Sequence, residues 1–132
     1  MVNLINTNIS YHYCDKGVTL INKFKNTISI EDVLKGWQEA INAGMINSNV
    51  KGVISDFSEC YSEIDQGDLD KIFNFMQSNI HLLLNLKLAV VMDSPQVALA
   101  VLFKKRYHVT QLKVFSTSKA AINWITNEPV LV

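Results

Sequence analysis

Val50-Lys51-Gly52-Val53-Ile54-Ser55-Asp56-Phe57-Ser58 is followed by a polar run to Ile64, and then by Asp65-Gln66-Gly67-Asp68-Leu69. The first part reads as a buried strand over Val50 to Asp56, with Val53 and Ile54 inside. The last part reads as the start of a helix with Asp65 as its cap. A strand that ends in polar residues and hands over to a helix N-terminus makes a recognition edge in open α/β sheets. No catalytic motif lies in this stretch.

Upstream, Ile9 to Cys14 is aromatic-rich, Asp15-Lys16-Gly17 supplies a turn, and Val18 to Lys25 resumes with Val18, Leu20 and Phe24 on one face. That pattern predicts an antiparallel hairpin. Ser29 with Asp32 forms a short capping box, Val33, Trp37, Ala40 and Ile41 recur at helical spacing, and Gly44 closes the helix. Downstream, the helix opened at Asp65 is expected to run to Ile80, with Leu69, Ile72, Phe73, Met76 and Ile80 as its apolar stripe and His81 near its negative end. Leu86 to Met92 is a nearly continuous apolar run that suits a central strand. Ser94 is expected to cap, and Pro95 to open, a helix through Val97 to Phe103 that ends in Lys104, Lys105 and Arg106. A short strand at Lys113 to Phe115 precedes a last helix, capped by Ser118, that buries Ala121, Ile122 and Ile125 and stops at Pro129.

The expected order is ββαβαβαβα: an α/β fold with a mixed five-stranded sheet, an N-terminal antiparallel hairpin plus parallel strands, and about four helices. With 132 residues, 48% of them hydrophobic, one domain over 1–132 accounts for the chain. Twelve basic and twelve acidic residues cancel, so no global field favours nucleic acid. No apolar run approaches the ~20 residues of a transmembrane segment. The N-terminus lacks the pattern of a secretory signal, so a cytoplasmic protein with reduced Cys14 and Cys60 is expected.

This arrangement resembles the STAS domains, the fold of the sporulation anti-sigma-factor antagonists, and within it a group of small bacterial SpoIIAA-like proteins of unassigned function. The likeness rests on Gly17-Val18-Thr19, Val53-Ile54-Ser55-Asp56, Leu88-Ala89-Val90-Val91 with Asp93-Ser94-Pro95, and Val114-Phe115 followed by Ala120-Ala121-Ile122-Asn123-Trp124-Ile125. It implies a non-enzymatic regulatory or protein-interaction module. In such antagonists an Asp-Ser-Ser-Gly-Leu-like segment opens the helix after the third strand, and its first serine is phosphorylated. The matching segment here is Asp65-Gln66-Gly67-Asp68-Leu69, where Gln66 stands at the serine position and cannot take a phosphate. Ser58 and Ser62 are the neighbouring hydroxyls open to modification. The related CRAL-TRIO type of fold, which carries an apolar ligand cavity, is the second comparison.

Half of the twelve carboxylates, Asp56, Glu59, Glu63, Asp65, Asp68 and Asp70, fall between positions 56 and 70. They suggest an acidic edge for a protein partner, made by Asp56, Ser58, Asp65, Gln66, Asp68, Asp93 and Ser94. The plainer reading gives Asp65 and Asp68 to helix capping and leaves the glutamates solvated. The all-round apolar character of Val97 to Phe103 calls for cover, which a neighbouring helix, a homodimer or an apolar ligand would supply. The residues concerned are Val97, Val101, Leu102 and Phe103. His12, His81 and His108 show no zinc spacing, and the glycines form no phosphate loop, so neither metal nor cofactor is expected. Cys60 lacks cationic neighbours and is expected to be inert. A Ser94, His108 and Asp56 triad can be written down for a hydrolase, but no nucleophile elbow supports it.

Overall fold

A computed structural model describes residues 8–127, without the side chains of Ser94 and Pro95. Pro129 and Val130-Leu131-Val132 therefore lie outside the described residues. Five strands, β1 (Ile9–Cys14), β2 (Thr19–Ile28), β3 (Gly52–Ser62), β4 (Lys87–Val91) and β5 (Leu112–Phe115), form one sheet in chain order. β1 and β2 pair antiparallel, while β2 to β5 are parallel. The helices are α1 (Ile30–Asn42), α2 (Leu69–Ser78), α3 (Ile80–Leu83), α4 (Ser94–Tyr107) and α5 (Ser118–Thr126). The expected mixed five-stranded α/β architecture is what the chain adopts.

Consecutive parallel strands that step across the sheet in one direction put their right-handed crossover helices on one face. Accordingly Leu20, Val53 and Leu88 from the strands pack with Ala40 of α1, Leu69 of α2, Leu83 of α3 and Phe103 of α4. The opposite face carries Ile21, Ile54, Ala89 and Val91 under Ala121 and Ile125 of α5. Two glycines permit the close approaches. A Cβ on Gly52 would lie 2.6 Å from the Ile125 side chain, and one on Gly36 of α1 would lie 2.8 Å from Ile9 Cδ1. Ser29 and Asp32 form the expected capping box, and Gly44, at φ 73°, follows the α1 C-cap.

Four local expectations need correction. β3 does not stop at Asp56 but runs to Ser62, because β2 extends to Ile28 and continues the ladder. Lys23 opposes Asp56 while Lys25 opposes Glu59, so β3 carries one extra residue there, a β-bulge. The helix predicted from Asp65 to Ile80 is instead a 3-10 turn at Gln66–Asp68, then α2, then the separate short α3. Asn79 breaks it: its backbone leaves the helical region, and its Nδ2 donates to Phe75 O at 2.9 Å. Asp93, not Ser94, occupies the N-cap position of α4. Finally Thr117, not Ser118, caps α5 by accepting from Ala120 N at 3.2 Å. Ser118 is thereby released for another role.

Candidate functional site

β3 and β4 pair only as far as Asp56 opposite Val91, and beyond that point β3 is joined to β2 alone. The sheet therefore splits at the C-terminal end of β4, and the gap leads down between the sheet and α2 and α4. A cavity of about 150 Å³ occupies this space. Ser62, Ile64, Met92 and Gln96 line it beside the split, and Val53, Leu83, Leu88, Phe103 and Leu112 line it in the core.

The polar edge around the split is built by short-range capping. Asp65 accepts from Gly67 N at 2.9 Å, and Asp68 Oδ2 accepts from Asp65 N at 3.0 Å, a reciprocal box that starts the 3-10 turn leading into α2. Lys71 adds ion pairs to Glu31 at 3.0 Å and to Asp68 at 3.7 Å. Glu59 pairs with Lys23 at 2.5 Å. Ser58, Glu63, Asp65, Gln66 and Asp93 are exposed, and so, at 69%, is Tyr61 near the end of β3. Such exposed pairs contribute little to stability, so this edge is free to differ in charge without cost to the fold.

Asp56 lies beneath that edge. It is only 4% exposed, its Oδ1 accepts from Ser58 N at 2.9 Å, and its Oδ2 accepts from Ser118 Oγ at 3.1 Å. The first bond satisfies an N–H in the bulged stretch of β3, and the second ties β3 to the first turn of α5. Ser94 and His108 lie at opposite ends of α4, about 20 Å apart at 1.5 Å per residue, so the triad of Ser94, His108 and Asp56 does not assemble. Burial, with some repulsion from Asp56, pushes the Cys60 thiol up to about 11, and burial and Asp15 also raise Cys14. Among the described residues no group of three or more His, Cys, Asp or Glu is arranged to hold a metal ion.

Of the four apolar residues singled out on α4, Phe103 alone lines the cavity. Val101 points the other way and is 53% exposed beside Lys104, Lys105 and His108, while Val97 and Leu102 are half-buried. Leu99 and Ala100, inside the apolar run singled out from sequence, and Gln96, which sequence reading missed, supply the rest of the α4 lining. Sequence reading also missed Asn22. This residue is fully buried, and among the described residues neither its side-chain Nδ2 nor its Oδ1 is hydrogen-bonded, while Gln96 Oε1 is likewise buried without a partner among them. A signal for Asn22 existed: it alternates in phase with Leu20 and Phe24, on the side that must face the core.

No protein-family model and no curated protein matches the sequence. Solved structures do. An uncharacterised protein of the DUF3478 family from Shewanella loihica PV-4, with a SpoIIAA-like fold, superposes with a TM-score of 0.57 at 13% identity, over 89% of this chain and 91% of its own. The Bacillus cell fate determinant SpoIIAA in its phosphorylated form gives 0.54 at 13% identity, over 89% and 98%. The anti-sigma factor antagonist SpoIIAA in its unphosphorylated form gives 0.51 at 12% identity, over 89% and 96%. The chain thus has a SpoIIAA-like, STAS-type fold.

Proposed function

We propose that this chain, with its SpoIIAA-like fold, is a non-enzymatic regulatory or protein-interaction module that binds a protein partner through the edge above the split between β3 and β4. The observation that carries the reading is the coincidence at one edge of exposed carboxylates, Glu63, Asp65 and Asp93, with the exposed ring of Tyr61. Aromatic residues beside charge are the composition of interface anchors. The carboxylates would select a basic partner surface and speed its encounter. Ser58, Gln66 and Asp68 complete the edge, with Ser94 beside Asp93, and Asp56 supports it from below through Ser58 N. The solved antagonists with this fold are named for action on an anti-sigma factor, which supports a protein partner here.

Regulation at position 66 is by binding rather than by phosphorylation. Gln66 carries no hydroxyl, and of the neighbouring serines Ser58 is exposed, while Ser62 is half-buried with its Oγ accepting from Ile64 N at 3.2 Å. Free thiols at Cys14 and Cys60 suit a cytoplasmic setting. Among the described residues no helix is long and apolar enough to cross a membrane. Affinity capture with the wild type and with Glu63→Lys plus Asp93→Lys tests the reading. A partner retained by the first and lost by the second supports it. Equal retention refutes it.

A further inference from the structure

The cavity under the split has a chemistry of its own. Its volume is about 150 Å³, and its lining includes no Asp, Glu, Lys, Arg or His. An engineered apolar cavity of that same order stays dry and takes up benzene. The present one differs in holding hydrogen-bonding capacity that the protein leaves unused. Gln96 Oε1 is buried and unpartnered among the described residues, and Ser55, 7% exposed, lines the same wall. Ser55 is the register partner of Asn22 on the adjacent parallel strand, so the two side chains stand on one face of the sheet. Asn22 itself lies outside the lining; it is fully buried, with neither Nδ2 nor Oδ1 partnered among the described residues. Buried polar groups are normally paired, and an unpaired amide oxygen in the wall of a cavity calls for an explanation.

We infer that the cavity is a binding site for a small neutral molecule: an apolar body of about ring size carrying one group that both donates and accepts a hydrogen bond, such as a hydroxyl or a primary amide. Three features select this class. The volume excludes long acyl chains and nucleotides. The apolar walls supply affinity by burial. The lining holds the unspent Gln96 Oε1 and the Ser55 hydroxyl, with no cation to neutralise a carboxylate, so an anion would enter the site uncompensated. Gln96 Oε1 accepts and the Ser55 hydroxyl accepts or donates without a change of charge, which fits an alcohol or amide and rejects its acid.

Three probes of equal shape separate these demands: benzyl alcohol, ethylbenzene, which replaces the hydroxyl by a methyl, and benzoate, the anion. Titration into the full chain, followed by amide chemical shifts, is expected to move Ser55, Gln96 and Leu99 with benzyl alcohol and to leave them unmoved with benzoate. Gln96→Leu and, separately, Ser55→Ala are expected to weaken benzyl alcohol tenfold or more and to leave ethylbenzene unweakened or tighter. Gln96 is only partly buried on a helix, so its variant folds even if the Ser55 change disturbs the sheet. The proposal is overturned if benzyl alcohol fails to shift the wild type, which would leave water as the occupant. It is equally overturned if benzoate binds as tightly as the alcohol, or if the variants weaken alcohol and hydrocarbon alike.

Discussion

Ser118 Oγ donates to Asp56 Oδ2 at 3.1 Å, across 62 positions of sequence, and joins the first turn of α5 to the point where β3 bulges. The other oxygen of the same carboxylate holds Ser58 N at 2.9 Å. One buried side chain therefore fixes both the cover on the far face of the sheet and the local path of the strand toward the exposed edge. Hydrogen bonds to a charged group contribute about 1.5 to 3 kcal/mol each. Asp56→Ala is expected to lower unfolding free energy by about 3 kcal/mol, and Ser118→Ala by about half that, in urea titration. In the double variant the losses do not add, because both residues share one bond.

Gly52 and Ile125 make the second test of how α5 seats on the sheet. A methyl group at Gly52 meets three atoms of the Ile125 side chain at 2.6 to 2.8 Å. Overpacking of this kind costs about 1 to 3 kcal/mol. Gly52→Ala should lose that amount in chemical denaturation, and Ile125→Val in the same chain should recover part of it. Full additivity of the two losses would mean that α5 does not rest on Gly52.

Asn22 should be a site of stability forgone. A buried amide without partners costs about 1 to 3 kcal/mol, and an apolar side chain of similar size removes that cost. Asn22→Leu is expected to raise the urea midpoint, as is Thr19→Val, whose buried hydroxyl is also unpartnered among the described residues. A fall in midpoint in both variants would show that these groups are satisfied.

Alkaline pH should destabilise the chain before acid chemistry becomes relevant to its thiols. Burial, reinforced by Glu39, pushes the Tyr11 phenol up to about 12, and burial, reinforced by Asp56, pushes Cys60 up to about 11. Both groups ionise more readily unfolded, at their ordinary values of 10 and 9. The stability they contribute is complete below about pH 9 and is lost as pH rises from there to about 12. Unfolding midpoints recorded from pH 7 to 11 check the sign. At pH 8 only about one Cys60 in a thousand is thiolate, so its reaction with a disulfide reagent should be slow in the folded chain and fast after unfolding.

The parts of the fold that sequence made legible are those decided within a few residues. Ser29 with Asp32 and Gly44 act through local hydrogen bonds or a positive φ and perform their expected roles. Asp65 caps as expected but caps a 3-10 turn, in a reciprocal box with Asp68, rather than the helix itself. The end of β3 was illegible because Ser58 to Ser62 is polar enough for a loop, and only its pairing with Lys25 to Ile28 makes it a strand. The apolar run of α4 signalled a need for cover but not its direction: Phe103 faces the cavity and Val101 faces out. The cavity itself draws on α1, β3, α2, α3, β4, α4 and β5, a convergence that periodicity along one element does not reveal.

The edge above the split is the central claim, and a photo-crosslinking residue placed at Tyr61 tests it most directly in the native host. The same residue at Val101, on the outer face of α4, serves as the comparison. The account predicts one specific protein captured from position 61, absent from position 101, and lost when Glu63→Lys and Asp93→Lys are added to a chain whose circular dichroism is unchanged. Capture from position 101 alone, or capture at 61 that survives the charge reversal, would contradict it.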